Sequence, residues 1–304
     1  MEKIKVPVIL GPTAVGKSDL CLQLAQKFDY EIISCDSRQI YRHMDIGTAK
    51  VTPSEMREVR HWFINIINPD KPYSAHVFSQ QAVEIIRQRS ALGKKVLVCG
   101  GTGLYFYSLS DGLGAQDVAD VSLRNSLQQR ARSQGSGSLY EELRRCDPES
   151  SKKLHPNDLQ RIVRALEVFY KTGKPLSVLQ EKKNPPSDID FLTCVVTSDR
   201  EKLYQKINKR VDEMFSCGLF EEYRLLRALG YDENSPGMQC VGYRELFQVD
   251  RKEMSFSQGV EKIKQNTRKY AKRQLTWFRN KTKGAEICSE HALDRLGAIL
   301  SGIN

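Results

Sequence analysis

Residues 11–18 read GPTAVGKS, with the apolar run VPVIL (6–10) in front and DLCLQLAQKF (19–28) behind. An unbroken apolar run marks a strand buried on both faces, and the segment behind it spaces its apolar residues as a helix does. Between them, G-x-x-x-x-G-K-S is the pattern of a loop that wraps phosphates at a helix N-terminus. Backbone N–H groups from Thr13 to Ser18 are expected to face phosphate oxygens, Lys17 adds a point charge, and the Ser18 hydroxyl suits Mg²⁺. This stretch decides the fold. Strand, phosphate loop and helix together predict an α/β protein with a P-loop NTPase-like parallel sheet flanked by helices.

Outward from the loop the alternation continues. YEIISCD (30–36) reads as a second strand, FINIIN (63–68) as a third, SAHVFSQQAVEIIRQRSAL (74–92) as a helix ending at Gly93, and KKVLVCGG (94–101) as another buried strand. From about 115 the pattern changes to charged, helix-like sequence, broken by SQGSGS (133–138) and closed by KNPPSD (183–188). The next strand-like run is FLTCVVT (191–197), followed by helices expected at 199–217, 219–229 and 258–283. A core of 1–114 plus 188–304, ending in basic helices, with a helical insertion domain at 115–187, is therefore predicted.

In a parallel sheet the carboxyl ends of the strands face the ligand crevice, which places Asp36 beside the phosphates. There a carboxylate suits either a metal-holding role or a general base. The strand at 94–101 ends in Gly100, Gly101 and Thr102, with no carboxylate. That absence disfavours an ordinary ATPase, whose metal and attacking water need acidic help. The glycines allow close approach of a ligand, and Thr102 offers a short hydroxyl.

The chain has 47 Lys and Arg against 37 Asp and Glu, a net charge of +10 that suits a polyanionic partner. Nine of these cations lie between 262 and 283, interleaved with Tyr270, Trp277 and Phe278. Such a helix can follow a nucleic-acid backbone and stack on unpaired bases, or bury its aromatics in the core. In the insertion Arg161 and Arg164 share a helix face, open to RNA or to pairing with Glu167. Eight cysteines and five histidines show neither a C-x-x-C pair nor a metal-ligand cluster. No apolar run is long enough for a membrane span, no export signal opens the chain, and no coiled-coil stripe is evident. A cytoplasmic monomer with no membrane contact is expected.

Several strings together resemble one family, the tRNA dimethylallyltransferases (tRNA isopentenyltransferases), of the bacterial type without a C-terminal zinc finger. GPTAVGKS, CDSRQIYRHMDIGTAK, INPDKPYSAHVF, GGTGLYFYSL, HPNDLQRIVRALEVF, RVDEMFSCGLFEE, QCVGYRE and RKYAKRQLTWFR match its blocks in order over nearly the whole chain. The resemblance implies transfer of a dimethylallyl group from dimethylallyl diphosphate to the exocyclic N6 amine of the adenosine just 3′ of the tRNA anticodon. It implies that the loop Gly11, Pro12, Thr13, Ala14, Val15, Gly16, Lys17 and Ser18 holds the diphosphate with Mg²⁺ at Ser18, assisted by Arg210. Lys17 and Asp36 are then catalytic, Asp36 as the base, with Thr102 at the reacting centre and Arg124 near the substrate channel. By the same likeness Asp36, Ser37, Arg38 and Gln39 contact the tRNA anticodon stem-loop. So do Gln160, Arg161, Ile162, Val163 and Arg164, and Gln239, Cys240, Val241, Gly242, Tyr243 and Arg244. The basic helix adds Lys269, Lys272 and Arg273. The rival readings are a P-loop kinase of a small metabolite, an adenylate isopentenyltransferase acting on free AMP, and an RNA-binding module with a relic phosphate loop. A kinase leaves the basic aromatic helix without a purpose, and free AMP does not call for the charge of +10.

Overall fold

The structure, a computed structural model, describes residues 2–113 and 120–302. The chain divides into two compact units, 1–107 with 187–304, and 108–186. The expected boundary at 114/115 lies outside the described residues.

The first unit runs β1 (Ile4–Leu10), α1 (Lys17–Phe28), β2 (Tyr30–Cys35), α2 (Pro53–Glu58), β3 (His61–Trp62), α3 (Ala75–Ala91), β4 (Lys95–Gly100) and into α4 (Gly103–Asp111). The second unit holds α5 (Val121–Gln134), α6 (Ser136–Cys146), α7 (Pro148–Lys153), α8 (Leu159–Thr172) and α9 (Leu176–Glu181). The chain then returns through β5 (Ile189–Thr197), α10 (Arg200–Ser216), α11 (Leu219–Ala228), α12 (Tyr243–Asp250), α13 (Phe256–Lys281), β6 (Ala285–Cys288) and α14 (Ala292–Ser301).

Among the described residues the six strands form one parallel sheet in the order β3-β2-β4-β1-β5-β6. β1 is central because Val6, Val8, Ile9 and Leu10 are buried on both faces. Its Pro7 lacks a donor, and the ladder to β4 begins only at Val8. β2 and β4 lie on one side of β1 and β5 on the other, so the chain reverses direction across the sheet at the end of β1. A ligand crevice belongs at such a point. Ile9, Leu24, Leu97, Val196, Ile207 and Leu296 form the core between the sheet, α1, α10 and α14.

FINIIN is not a strand. β3 is the preceding pair His61–Trp62, and Phe63 and Asn65 take φ values of 64° and 55°, which break an extended run. The segment instead folds back on the chain after β2, with Asn65 N–H donating to Gln39 O and Ile66 N–H to Ile40 O. β5 begins two residues before the expected FLTCVVT, at Ile189, because its ladder to β1 starts there. The four-residue β6 carries one buried residue, Ile287, too little pattern to be read as a strand.

The insertion has its own core, in which Leu127, Leu139, Leu143, Ile162, Val163 and Leu166 meet. Asp147 is buried there and accepts from Ser150 and Ser177, through both the N–H and the hydroxyl of each, at 2.6–3.0 Å. Among the described residues no helix is long and apolar enough to cross a membrane.

Candidate active site

A cavity of about 1030 Å³ opens at the carboxyl end of the sheet, wholly within the first unit. Its floor is the glycine-rich loop of residues 11–18. Gly16 takes φ 98° and starts α1 without a side-chain cap, which leaves the helix's first N–H groups for a ligand. Ala14 at φ 63° bends the loop. Val15 turns into the hydrophobic core, so its side chain does not reach the cavity. A Cβ on Gly11 would stand 2.5 Å from the Val196 carbonyl, which is why glycine ends β1.

The cavity is cationic at its floor. Lys17 Nζ donates to Pro12 O at 2.6 Å, and Arg210 of α10 lines the same space. Burial pushes the Lys17 amine down to about 8, and the Arg210 charge adds to that against the opposing pull of Cys99 and Asp36. Burial likewise lowers Arg210. Among the described residues neither cation has a carboxylate ion pair. Two desolvated cations without a paired anion form a site for one.

Asp36 follows β2 and lines the cavity wall. Its Oδ1 accepts from the N–H groups of Arg38 at 2.8 Å and Gln39 at 3.4 Å, which fixes the carboxylate in a turn of its own. Among the described residues Oδ2 accepts no hydrogen bond. Thr102 is locked to this turn, its hydroxyl accepting from Ser37 N–H at 3.0 Å and donating to Ser37 Oγ at 3.4 Å. Gly100 has no Cβ because Cys35 O lies where one would be. Arg38 donates to Pro236 O at 2.8 Å, and Gln39 bridges Ser34 and Ala49.

The third wall is α13. Thr267, Tyr270, Gln274 and Trp277 form a stripe that faces the cavity, and Arg273, which lies across the Tyr270 ring, reaches it as well, whereas Lys269 and Lys272 are exposed away from it. Of the interleaved aromatics Phe278 enters the core and Tyr270 and Trp277 line the cavity. Burial, with Asp36 nearby, pushes the Tyr270 phenol up to about 12. Gln239, Cys240, Val241, Gly242 and Arg244 also reach the cavity.

Three expectations need correction. Thr13 N–H is not free for a phosphate: it donates to Gln274 Oε1 at 2.9 Å. Tyr243 is buried and gives its hydroxyl to Glu222 at 2.6 Å, so its side chain is not an RNA contact. Ile162 and Val163 are buried in the insertion core, so their side chains are not open to RNA. On that helix Gln160 is exposed and Arg161 pairs only with Asp158 at 3.2 Å. Arg164 and Arg124 both bond Glu167, which is 0% exposed, at 2.9 and 3.0 Å.

Two residues escaped the sequence reading. Glu222 of α11 accepts from the N–H groups of Asp45, Ile46 and Gly47 at 2.7–3.0 Å, and so holds a loop that lines the cavity. Gln274 is uncharged in a cationic helix. Its place with Tyr270 and Trp277 on one helical stripe is the signal that could have found it.

The profile of a family described as IPP transferase matches residues 39–281. A tRNA dimethylallyltransferase of Acetivibrio thermocellus is 44% identical over 277 residues, covering 90% of this chain and 88% of the relative. The solved tRNA isopentenylpyrophosphate transferase of Staphylococcus epidermidis is 39% identical with a TM-score of 0.71, covering 99% of this chain and 100% of that one. A eukaryotic dimethylallyltransferase acting on tRNA superimposes with a TM-score of 0.78 at 31% identity, covering 94% of this chain and 74% of that one.

Proposed function

The chain belongs to the IPP transferase family, and from that premise we propose that it transfers a dimethylallyl group from dimethylallyl diphosphate to the N6 amine of the adenosine just 3′ of the anticodon in tRNA. It is an enzyme, and transfer of a dimethylallyl group to tRNA is its activity. The observation that carries the finer reading is one cavity lined by two cations, Lys17 and Arg210, that have no ion-paired carboxylate among the described residues, and by a carboxylate, Asp36, with an unengaged oxygen.

The adenine amine is a poor nucleophile because its lone pair is delocalised into the ring. As N6 attacks the first carbon of the dimethylallyl group, the carbon–oxygen bond breaks and its electron pair leaves with diphosphate. Asp36 Oδ2 takes the N6 proton, an assistance worth about 10²- to 10⁴-fold. The N–H groups opening α1, with Lys17 and Arg210, meet the charge that gathers on diphosphate. Ser18 would hold magnesium. Such ions take most of their ligands from water and substrate phosphates, and among the described residues no cluster of His, Cys, Asp or Glu cages a metal, so the donor set fits one that arrives with diphosphate. When bound it neutralises leaving-group charge. No water is activated, and accordingly β4 ends without a carboxylate. Adenosine must leave its stack to reach Asp36, which calls for a clamp on the stem-loop. The exposed Lys269, Lys272 and Arg273 on α13 and Gln160 and Arg161 on α8 have the chemistry for it.

The test is mass analysis of nucleosides from tRNA treated with this protein, dimethylallyl diphosphate and magnesium. A prenylated adenosine next to the anticodon is expected. Unmodified tRNA alongside ADP formation from ATP would return the kinase reading, and equal turnover of free AMP would return the adenylate reading.

A further inference from the structure

Gln274 belongs to the basic helix, yet its buried amide is engaged by backbone groups of two loops and not by a charged group. Oε1 accepts from Thr13 N–H at 2.9 Å, and Nε2 donates to the Gly101 carbonyl at 2.8 Å. Its partners lie in the loops that end the neighbouring strands β1 and β4. One loop is the proposed grip on the leaving group. The other leads directly to Thr102, whose hydroxyl holds the Ser37 turn beside Asp36. The fit is close: a Cβ on Gly101 would stand 2.5 Å from Nε2.

Only a neutral amide of this length fills the position. A glutamate could accept from Thr13, but it could not donate to Gly101 and would set a negative charge beside a diphosphate. An asparagine is one carbon too short to reach both loops from the helix. A methionine fills the space and makes neither bond.

We infer that Gln274 is a positioning residue for the transfer: it fixes the loop under the leaving group against the turn that holds the base, so that the diphosphate-bearing carbon and the proton acceptor stay in line. This rests on the proposed transferase function. Misplacement of reacting groups by about 1 Å can cost on the order of 10²-fold in rate, so a single amide bridging the two loops has that leverage. Gln274 bonds only to the backbone of the two loops among the described residues, so its loss is expected to leave tRNA affinity near wild type.

The experiment compares wild type, Gln274→Met, Gly101→Ala and the double variant, each at full length. Gly101→Ala pushes the amide out from the opposite side without altering α13. The readouts are the single-turnover rate constant for dimethylallyl transfer to saturating tRNA, tRNA affinity by filter binding, and Tm. Each single variant is expected to lose about 10- to 100-fold in the rate constant, with tRNA Kd within about twofold of wild type. The double variant is expected to be no slower than the slower single variant, because both changes break the same bridge. A merely structural role would lower Tm and the active fraction but leave the single-turnover rate constant unchanged, and that result overturns the inference. So do losses that multiply in the double variant. Should Gln274→Met fail to fold, Gly101→Ala alone decides: an unchanged rate constant refutes the bridge, and a loss of the expected size at unchanged tRNA Kd upholds it. A wild-type chain that transfers no dimethylallyl group to tRNA refutes the proposed function instead, whereas active wild type with equally active variants refutes only the role of Gln274.

Discussion

The buried carboxylates of the insertion and the cavity carboxylate of the first unit are engaged in opposite ways. In the insertion, Asp147 takes four hydrogen bonds from Ser150 and Ser177, and Glu167 takes Asp120 N–H together with Arg124 and Arg164. For Asp147, burial opposes the charged form but the serine hydrogen bonds outweigh it and hold the carboxyl below its usual range. Glu167 is lowered in the same way, by Asp120 N–H and the two arginines against burial. Asp36 in the first unit engages only Oδ1, within its own turn. Particular arginines differ likewise: Arg124 and Arg164 are paired with a buried carboxylate, while Arg210 lines the cavity and has no carboxylate ion pair among the described residues. Saturated polar groups hold a fold together, and groups left with capacity are the ones available to a substrate.

Breaking the comparison at its functional end has the largest expected effect. Asp36→Asn keeps an Oδ1 acceptor for the turn and removes the base, so transfer should slow by about 10²- to 10⁴-fold while Tm and tRNA affinity stay near wild type. Single-turnover transfer and filter binding check this, and a variant with normal rate would end the base assignment. At the structural end, Asp147→Ala leaves four donors unmatched, the two of Ser150 buried and the two of Ser177 part-buried, and should cost about 3 kcal/mol in urea unfolding of the insertion. The pH sign follows: both insertion carboxyls have folded pKa values below the unfolded ones of about 4, so their contribution is complete above about pH 5 and is lost progressively as pH falls below about 4 through the lowered folded values. Acid titration followed by circular dichroism reads it, and stability that rose below pH 4 would contradict it.

Smaller effects sharpen the contrast on the cationic side. Alanine at Lys269, Lys272 and Arg273 together should weaken tRNA binding about 10-fold or more and reduce the slope of log affinity against log salt by about 2–3. Affinity indifferent to salt would remove α13 from the RNA surface. Lys17, with its amine at about 8 before a ligand binds, is charged below that pH and neutral above it. KM for the donor is therefore expected to rise severalfold between pH 8 and 9 with kcat less affected, since bound diphosphate raises the amine's pKa again. Initial rates at several donor concentrations across that range measure it.

Much of this was legible in the sequence. GPTAVGKS and its flanks announced a strand, a glycine-rich turn and a helix, because each depends on neighbours within a few residues. Asp36 was placed correctly at the end of β2 for the same reason: strand ends in parallel sheets open on one crevice. FINIIN misled because its apolar content matched a strand while left-handed Phe63 and Asn65 turned it back on the chain. β6 was invisible, since an edge strand of four residues with one buried side chain has no period to read. Arg164 was left open between RNA and Glu167, and the choice fell to Glu167 because that carboxylate is fully buried and needs partners.

By itself the sequence determined the local elements of the core, the phosphate loop, the candidate base and the cationic helix, since propensity, spacing and charge are written in short windows. Only the tertiary structure decided that α13 shows the cavity a stripe of Tyr270, Gln274 and Trp277, and that Gln274 joins residues 261 and 173 positions away. The physical reason is that a hydrogen bond between distant segments leaves no periodicity behind. It exists only once burial has brought β1, β4 and α13 together.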